Sequence, residues 1–552
     1  MPNATAYRRS PLVDPAYVVL PDNAVHVDGK VGERCQHVLE MADLGRMTAL
    51  DAVTASKLGG YAQMPPMPPV EEAAEHLMED VGAFIRTLQA GMMIAAAARD
   101  KDGMLQVLGG MRVFMDALPH ISEEELYLTG ADALRLTVEL YRRTGQHFLL
   151  SLLENLRSRL PDVSGLMHMF PFLREYRPET NINTADEKAY HERMERFATG
   201  KGAADALAMT ALLAQYSGSG RDVAAAKMGM NALSRYHGMP CGAFAADPYL
   251  AGRDPARAVS LDALCAQMEA CLDILCATGE LAVAEKLEML FVNGLCDLMN
   301  QRGVEELAPT NRLAEDDSCQ THKPETKEVS ALLRALYAVR RSVWLARDDE
   351  SVALMLPVSS GCVSRFGGVP VRLTAECTGV WKREIRIAVE CKQPVRFNLQ
   401  IRVPSYAEGA AVTVGGSTQE VVAGELCTLS RTYSDGDVIT LGYTLSPRLE
   451  RGYRNSVSVF CGSTLMAFPL PGEDIEWRYA VLEQACMTPD EQDGEPYVML
   501  TACAAPAWKE KGGFILPPPQ NIPMSDAYEL TLIPYAGLGG RIAAFPSVAN
   551  RG

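Results

Sequence analysis

The 552-residue sequence is poor in aromatics, which make up 7% of the chain, and poor in positive charge: 52 Lys and Arg face 69 Asp and Glu, a formal net charge of -17. So large an acidic surplus repels phosphate backbones and anionic lipid headgroups, and no Lys/Arg stripe with interleaved aromatics offsets it. Nucleic acid and membrane surfaces are therefore not expected partners. Uninterrupted apolar runs of bilayer length are missing, and the opening "MPNATAYRRSPLVDPAYVVL" has no apolar stretch of signal-peptide length behind its basic residues. The 14 cysteines form no regular framework. Many lie in apolar helical stretches such as "ACLDILCATGE" (270–280), where a thiol packs as a small hydrophobe, so reduced thiols and a cytoplasmic location are expected. No nucleotide fingerprint occurs either: "GLGGR" (537–541) follows a late strand and has too few glycines in the right places.

What is present is length and two kinds of periodicity. A chain of 552 residues exceeds a single hydrophobic core and should divide into several domains. Residues 1–350 read mainly as helix. Leu134, Val138 and Tyr141 recur at helical spacing, and Gly145 follows as a stop. Helix, glycine turn and second amphipathic helix recur around Gly145, Gly220 and Gly279, the pattern of helical hairpins that must close on one another to bury their apolar faces. The run "MPPMPPV" (64–70) cannot be helix interior and marks a loop before a helix near Glu71.

Near residue 350 the period changes. "ESVALMLPV", "PVRLTAEC", "REIRIAVEC", "VRFNLQIRVP", "AAVTVGG" and "DVITLGYTL" are short alternating runs rich in Val, Ile, Thr and Leu, the signature of an antiparallel β-sandwich over 351–455. Residues 456–552 read as a second β-rich region with strands at "NSVSVFCG" and "YELTLIPYA".

The order and chemistry of "FNLQIRVPSYAEGAAVTVGG" (397–416), "YSDGDVITL" (433–441) and "LTLIPYA" (530–536) are more specific than a β-domain requires. With "GAFAADPYLAG" (242–252), residues 264–295 and "SCQTH" (318–322), they resemble the β-L-arabinofuranosidases of glycoside hydrolase family 127. The resemblance spans most of 130–545 and implies an (α/α)6 helical toroid followed by antiparallel β-sandwich domains. It also implies a retaining glycosidase with a cysteine thiolate nucleophile. A zinc ion bound by one glutamate and three cysteines holds that sulfur deprotonated, and a separate glutamate is the acid/base.

Carried across, the motif is altered. The family's Glu-x-Cys falls on Ala263 to Cys265, and its Cys-Cys pair falls on Ser318 and Cys319. The asparagine after that pair is His322, and the acid/base position falls on Asp247-Pro248. The sugar-binding Gly-His-Ala corresponds to "KGA" at 201–203.

Each candidate has a functional and an ordinary reading. Cys265, Cys319 and His322 could hold zinc with an open fourth position, or be a core thiol and a polar loop. Ser318 could replace the missing thiol as nucleophile with His322 as its base, although no third orienting residue can be assigned. Asp247 could be the general acid or a turn aspartate before proline. His237 and Tyr249, near it in sequence, could contact sugar or be structural. Glu269 reads as a structural residue beneath the barrel floor, and the acidic tracts "HISEEELYL" and "LAEDDS" read as solvated faces.

The expectation is a glycosidase acting on a small glycoside or oligosaccharide, with carbohydrate as partner and zinc as the cofactor the resemblance suggests. The alternative is a non-catalytic relative that binds sugar or a protein at the barrel mouth. An assembly role through the β-domains, with homo-oligomer formation, is the third reading.

Overall fold

The computed structural model describes residues 8–43, 46–59, 64–178, 184–300, 303–312, 321–470, 479–482, 485–504, 509–510, 513–514 and 527–548. Six helices form a ring: α1 Ala49–Leu58, α2 Val81–Ala98, α3 Glu123–Thr144, α4 Gly200–Ser217, α5 Leu261–Thr278 and α6 Thr326–Val343. Each packs on the next, and α6 returns to α1. Outer helices back the ring: Lys101–Ala117 on α2, Phe148–Arg159 on α3, Gly220–His237 on α4, Leu281–Met289 on α5 and Gly29–Met41 on α6. Ring closure covers the apolar stripes that single hairpins would leave in water. Helix α2 is long and apolar enough to cross a bilayer by length and composition, contrary to the sequence expectation; here it is one stave of the ring.

Local chemistry sets the helix ends. Ser122, Thr199 and Ser260 cap α3, α4 and α5, each accepting a backbone N–H from the first turn. The acidic tract beginning at Ser122 is a capping box, in which Glu125 answers the Ser122 backbone and the first-turn carboxylates meet the positive end of the helix. Left-handed glycines Gly145, Gly218 and Gly279 end the same three helices. The turn glycine of the middle hairpin is thus Gly218; Gly220, which the spacing singled out, already opens the outer helix.

Two β-sheets follow. A five-stranded sheet runs in the order Val18–Val19, Trp344–Asp348, Ser351–Leu354, Val395–Arg402, Leu426–Tyr433. A seven-stranded sheet runs Ser417–Glu420, Glu408–Val414, Val438–Thr444, Lys382–Cys391, Val369–Thr378, Ser360–Phe366, Val25–Val27. Neighbours are antiparallel except 351–354 with 395–402. Burial alternates along Val369–Thr378 as the period predicts. The sheets meet where Phe366 stacks on Phe397 at 4.3 Å, and within the five-stranded sheet Phe397 packs at a tilt against Tyr433 at 4.3 Å. Strands from Arg448–Arg451 to Ser547–Val548 build a further nine-stranded sheet. It docks on the helical unit through buried groups: Asn293 bonds the Ser463 carbonyl and the Leu465 amide, and Asn311 bonds Ala543 and Ala544.

The N-terminal segment belongs to both units. Its short strands 18–19 and 25–27 add an edge to each sheet of the sandwich. Between and before them it crosses the C-terminal ends of the ring helices. The Val13 and Tyr17 amides satisfy the Gln215 and Cys276 carbonyls, and Tyr141 and Arg142 reach the Ser10 and Val13 carbonyls. The described cysteines are all unpaired thiols.

Candidate functional site

The ring helices start at one rim and end at the other, where the N-terminal segment lies. At the starting rim, the loop 244–250 packs on the beginnings of α4 and α5: the Gly200 amide donates to the Pro248 carbonyl, and the Ala246 amide to Ala258. Strand Leu307–Pro309 pairs with Ala258–Ser260 beside it, and His322 bridges to Val304. Asp247, residues 303–312 and His322 are thereby brought to the same rim. Ser318 and Cys319 themselves lie outside the described residues, as does the tract "LAEDDS".

The other sequence candidates divide. Asp247 is partly buried, and its carboxylate has no hydrogen bond among the described residues. Tyr249 is half-buried, donates to Glu195 and lies 5.5 Å from the Tyr176 ring; the bond to Glu195 pushes its hydroxyl pKa up to about 12. His237 is fully buried: Nε2 meets the Phe172 carbonyl at 2.7 Å and Nδ1 accepts the Gly252 amide at 3.0 Å. Burial lowers its pKa, so it is a neutral fastener of the loop, which corrects the expectation of a sugar contact. His322 is partly exposed; Nδ1 meets the Lys323 carbonyl at 3.1 Å and Nε2 lies 3.4 Å from Glu328.

The zinc expectation meets a poor donor set. Cys265 is 1% exposed, and burial, reinforced by Asp262 and Glu269, pushes its thiol well above the usual range. Ala263, at the glutamate position, faces Gly200, where an added Cβ would collide with Ala263 and come within 2.6 Å of Ala246. Small residues thus fill the space a ligand side chain would need. Among the described residues no three His, Cys, Asp or Glu side chains come together in a metal-binding group. The residues seen here do not fit zinc.

The charged chemistry is instead inside the ring. A cavity of about 210 Å³ occupies the lumen, walled by all six ring helices and by residues 15–22. Helix α3 supplies Asp132, Arg135 and Glu139, α5 supplies Glu269 and Asp273, and α6 supplies Arg334, Tyr337 and Arg341. The i, i+3, i+4 and i+7 spacings put each set on one face. Arg135 donates to Asp132 at 2.6 Å and to Asp273 at 2.7 Å. Arg334 lies between two carboxylates, 3.7 Å from Asp132 and 3.6 Å from Glu269, without a hydrogen bond to either. Toward the starting rim Lys201 pairs with Asp205; toward the far end Lys57 and Tyr337 donate to Asp22, and Arg143 pairs with Glu139 at 2.6 Å.

These environments separate the carboxyls. Burial would raise the Asp132 pKa, but Arg135, Arg334 and Lys201 outweigh it and hold the group below the usual value. Burial raises Glu269 despite Arg334 and Arg135, and the Asp132 charge adds to the rise. Burial likewise raises Asp205 despite Lys201. One carboxylate held ionised beside another biased toward its acid form is an acid/base arrangement. Glu269 is therefore a lumen group and not a floor residue. Asp132, Arg135, Asp205 and Arg334 escaped the sequence reading, and Lys201 entered it only as the start of "KGA"; charges at helical spacing within otherwise apolar ring helices were the available signal.

The GH127 middle domain of β-L-arabinofuranosidases matches residues 351–445. Solved structures share the fold of the whole chain at low identity. One described as a glycoside hydrolase has a TM-score of 0.74 and 16% identity, covering 98% of this chain and 99% of that one. A GH127 β-L-arabinofuranosidase from Geobacillus stearothermophilus T6 has a TM-score of 0.62 and 14% identity, covering 94% and 91%. Another GH127 β-arabinofuranosidase has a TM-score of 0.58 and 13% identity, covering 97% and 98%. No curated protein matches the sequence. Residues 351–445 thus match the GH127 middle domain, and the chain as a whole has the fold of the GH127 β-L-arabinofuranosidases.

Proposed function

We propose that the protein is a glycoside hydrolase that takes a small glycoside into the lumen from the starting rim and uses carboxyl groups in place of a zinc thiolate. The observation that carries the reading is the pair Asp132 and Glu269, both beside the Arg334 guanidinium with pKa values displaced in opposite directions. Glu269 is the proton donor to the leaving oxygen; Asp132, kept ionised, stabilises positive charge at the anomeric carbon or orients water. Asp247 and Tyr249 are the rim contacts to the aglycone. The described cysteines, all unpaired thiols, suit a reducing cytoplasm.

Hydrolysis of a panel of aryl glycosides tests this. Glu269→Gln and Asp132→Asn should each lower kcat by about 10²- to 10⁴-fold, the usual contribution of a positioned acid or base. Activity retained in both variants removes the lumen pair from the mechanism.

The second reading, a non-catalytic sugar-binding relative, is favoured by the alanine at position 263 and the close packing of Gly200 on it. It predicts sugar binding by the wild type with no turnover of any aryl glycoside. Association through the β-domains is a further proposal, read out by size-exclusion mass.

A further inference from the structure

The lumen has one cation too many. Five carboxylates line it, Asp22, Asp132, Glu139, Glu269 and Asp273, and each has a basic partner within 4 Å. The basic side chains number six: four pair with these carboxylates, Arg142 donates to the Val13 carbonyl and the Gln215 side chain, and Arg341 is left over. Among the described residues its guanidinium has no hydrogen bond and no ion-pair partner; it stands 5.1 Å from the Tyr337 ring centroid with Nε buried and unsatisfied. The nearest carboxylates, Asp22 and Glu139, act on it only from a distance, being held by Lys57 and Arg143. One turn-pair earlier on the same face of α6, Arg334 also leaves Nε buried without a hydrogen bond. Despite burial, Tyr337, Glu139 and Asp22 hold the guanidinium charged, and with no direct hydrogen bond or ion pair among the described residues its donors are left to face an anionic occupant. In a chain of net charge -17 this surplus is not a general property of the surface.

We propose that the glycone bound in the lumen is a sugar acid, its carboxylate held by the Arg341 guanidinium. Guanidinium presents parallel N–H donors that pair bidentately with a carboxylate, and phosphate, the other anion such a fork holds, is separated by the test below. Arg334 and Arg341 are seven residues apart, about 10 Å along the helix axis. A single pyranose ring can therefore lie between a carboxylate at Arg341 and a glycosidic oxygen near Glu269. The cavity is smaller than the roughly 300–1,000 Å³ of common ligand pockets, which suits one ring. The inference rests on the lumen being the sugar site, and it differs from the neutral sugar named for the GH127 structures.

Calorimetric titration of the full-length protein with D-glucuronate and D-galacturonate tests it, with D-glucose and L-arabinose as neutral controls and inorganic phosphate as the alternative anion. At least one uronate should bind about tenfold or more tighter than either neutral sugar and than phosphate. Arg341→Gln should remove that preference. Arg341→Lys should keep part of it, and circular dichroism should show both variants folded. Should Arg341→Gln not fold, Arg341→Lys decides: a weakened preference for the uronate supports the assignment, and an unchanged one overturns it. Neutral sugars binding as tightly as uronates, phosphate binding more tightly, an unaltered preference in a folded Arg341→Gln, or no uronate binding up to about 10 mM would each overturn the assignment. Hydrolysis of neutral aryl glycosides that depends on Glu269, without uronate preference, would sink this inference alone. Uronate binding without turnover of any glycoside would sink the hydrolase reading alone.

Discussion

Arg541 and Asp297 form a fully buried two-pronged ion pair, Nη1 to Oδ1 and Nη2 to Oδ2 at 2.6 Å each, joining the C-terminal sheet to the helical unit. The Gly537 amide and the Tyr535 hydroxyl complete the cage around it. Removing one partner of such a pair leaves a stranded charge and costs about 3–5 kcal/mol. Asp297→Ala should therefore lower the thermal midpoint by several degrees and expose the C-terminal sheet to limited proteolysis before the helical unit unfolds. An unchanged midpoint and cleavage pattern would show that the pair does not hold the sheet in place.

A second prediction concerns the altered rim motif. Gly200 is wedged between Ala246 and Ala263, so Gly200→Ser must push either the Asp247 loop or the start of α5 outward. Overpacking of this kind costs about 1–3 kcal/mol. The variant should melt earlier, and its KM for any active glycoside should rise more than kcat falls, because the rim moves while the lumen carboxyls stay. Equal melting temperatures would mean that the loop yields without strain.

Acid sensitivity gives a third. Burial would raise the Asp22 pKa, but Lys57 and Arg341, with hydrogen bonds from Lys57 and Tyr337, hold it down to about 2 from 3.8. A depressed carboxyl stabilises the fold above its unfolded pKa, and that stabilisation is lost as pH falls from about 4 towards 2. At about 1.4 kcal/mol per unit, the loss is about 2 kcal/mol. The double variant Asp22→Asn, Lys57→Met should show a thermal midpoint that falls less steeply than wild type across that window. Parallel curves would place the acid-labile contact elsewhere.

Much of the architecture was legible in the sequence. The helical stripe of Leu134, Val138 and Tyr141 and the capping glycines Gly145 and Gly279 report local preferences that the ring only exploits. Alternation along Val369–Thr378 likewise identified a half-buried strand. The edge strands 18–19 and 25–27 were hidden because two or three residues carry no periodic signal, and their pairing partners lie more than 300 residues away. The lumen was harder still. A helix in a double ring has two covered sides, so Asp132 or Arg334 looks in sequence like any solvent-facing charge; only closure shows that it points inward. The motif positions told the opposite story. Cys265 was visible as a retained thiol, but its burial and the collision site at Gly200 are tertiary facts.

The segment at 15–22 has a consequence for what can be processed. By lying across the far end of the ring, it closes that side of the lumen with main chain. On the proposed hydrolase reading a polysaccharide is not threaded past residues 15–22, and the expected occupant is a terminal unit or a free small glycoside.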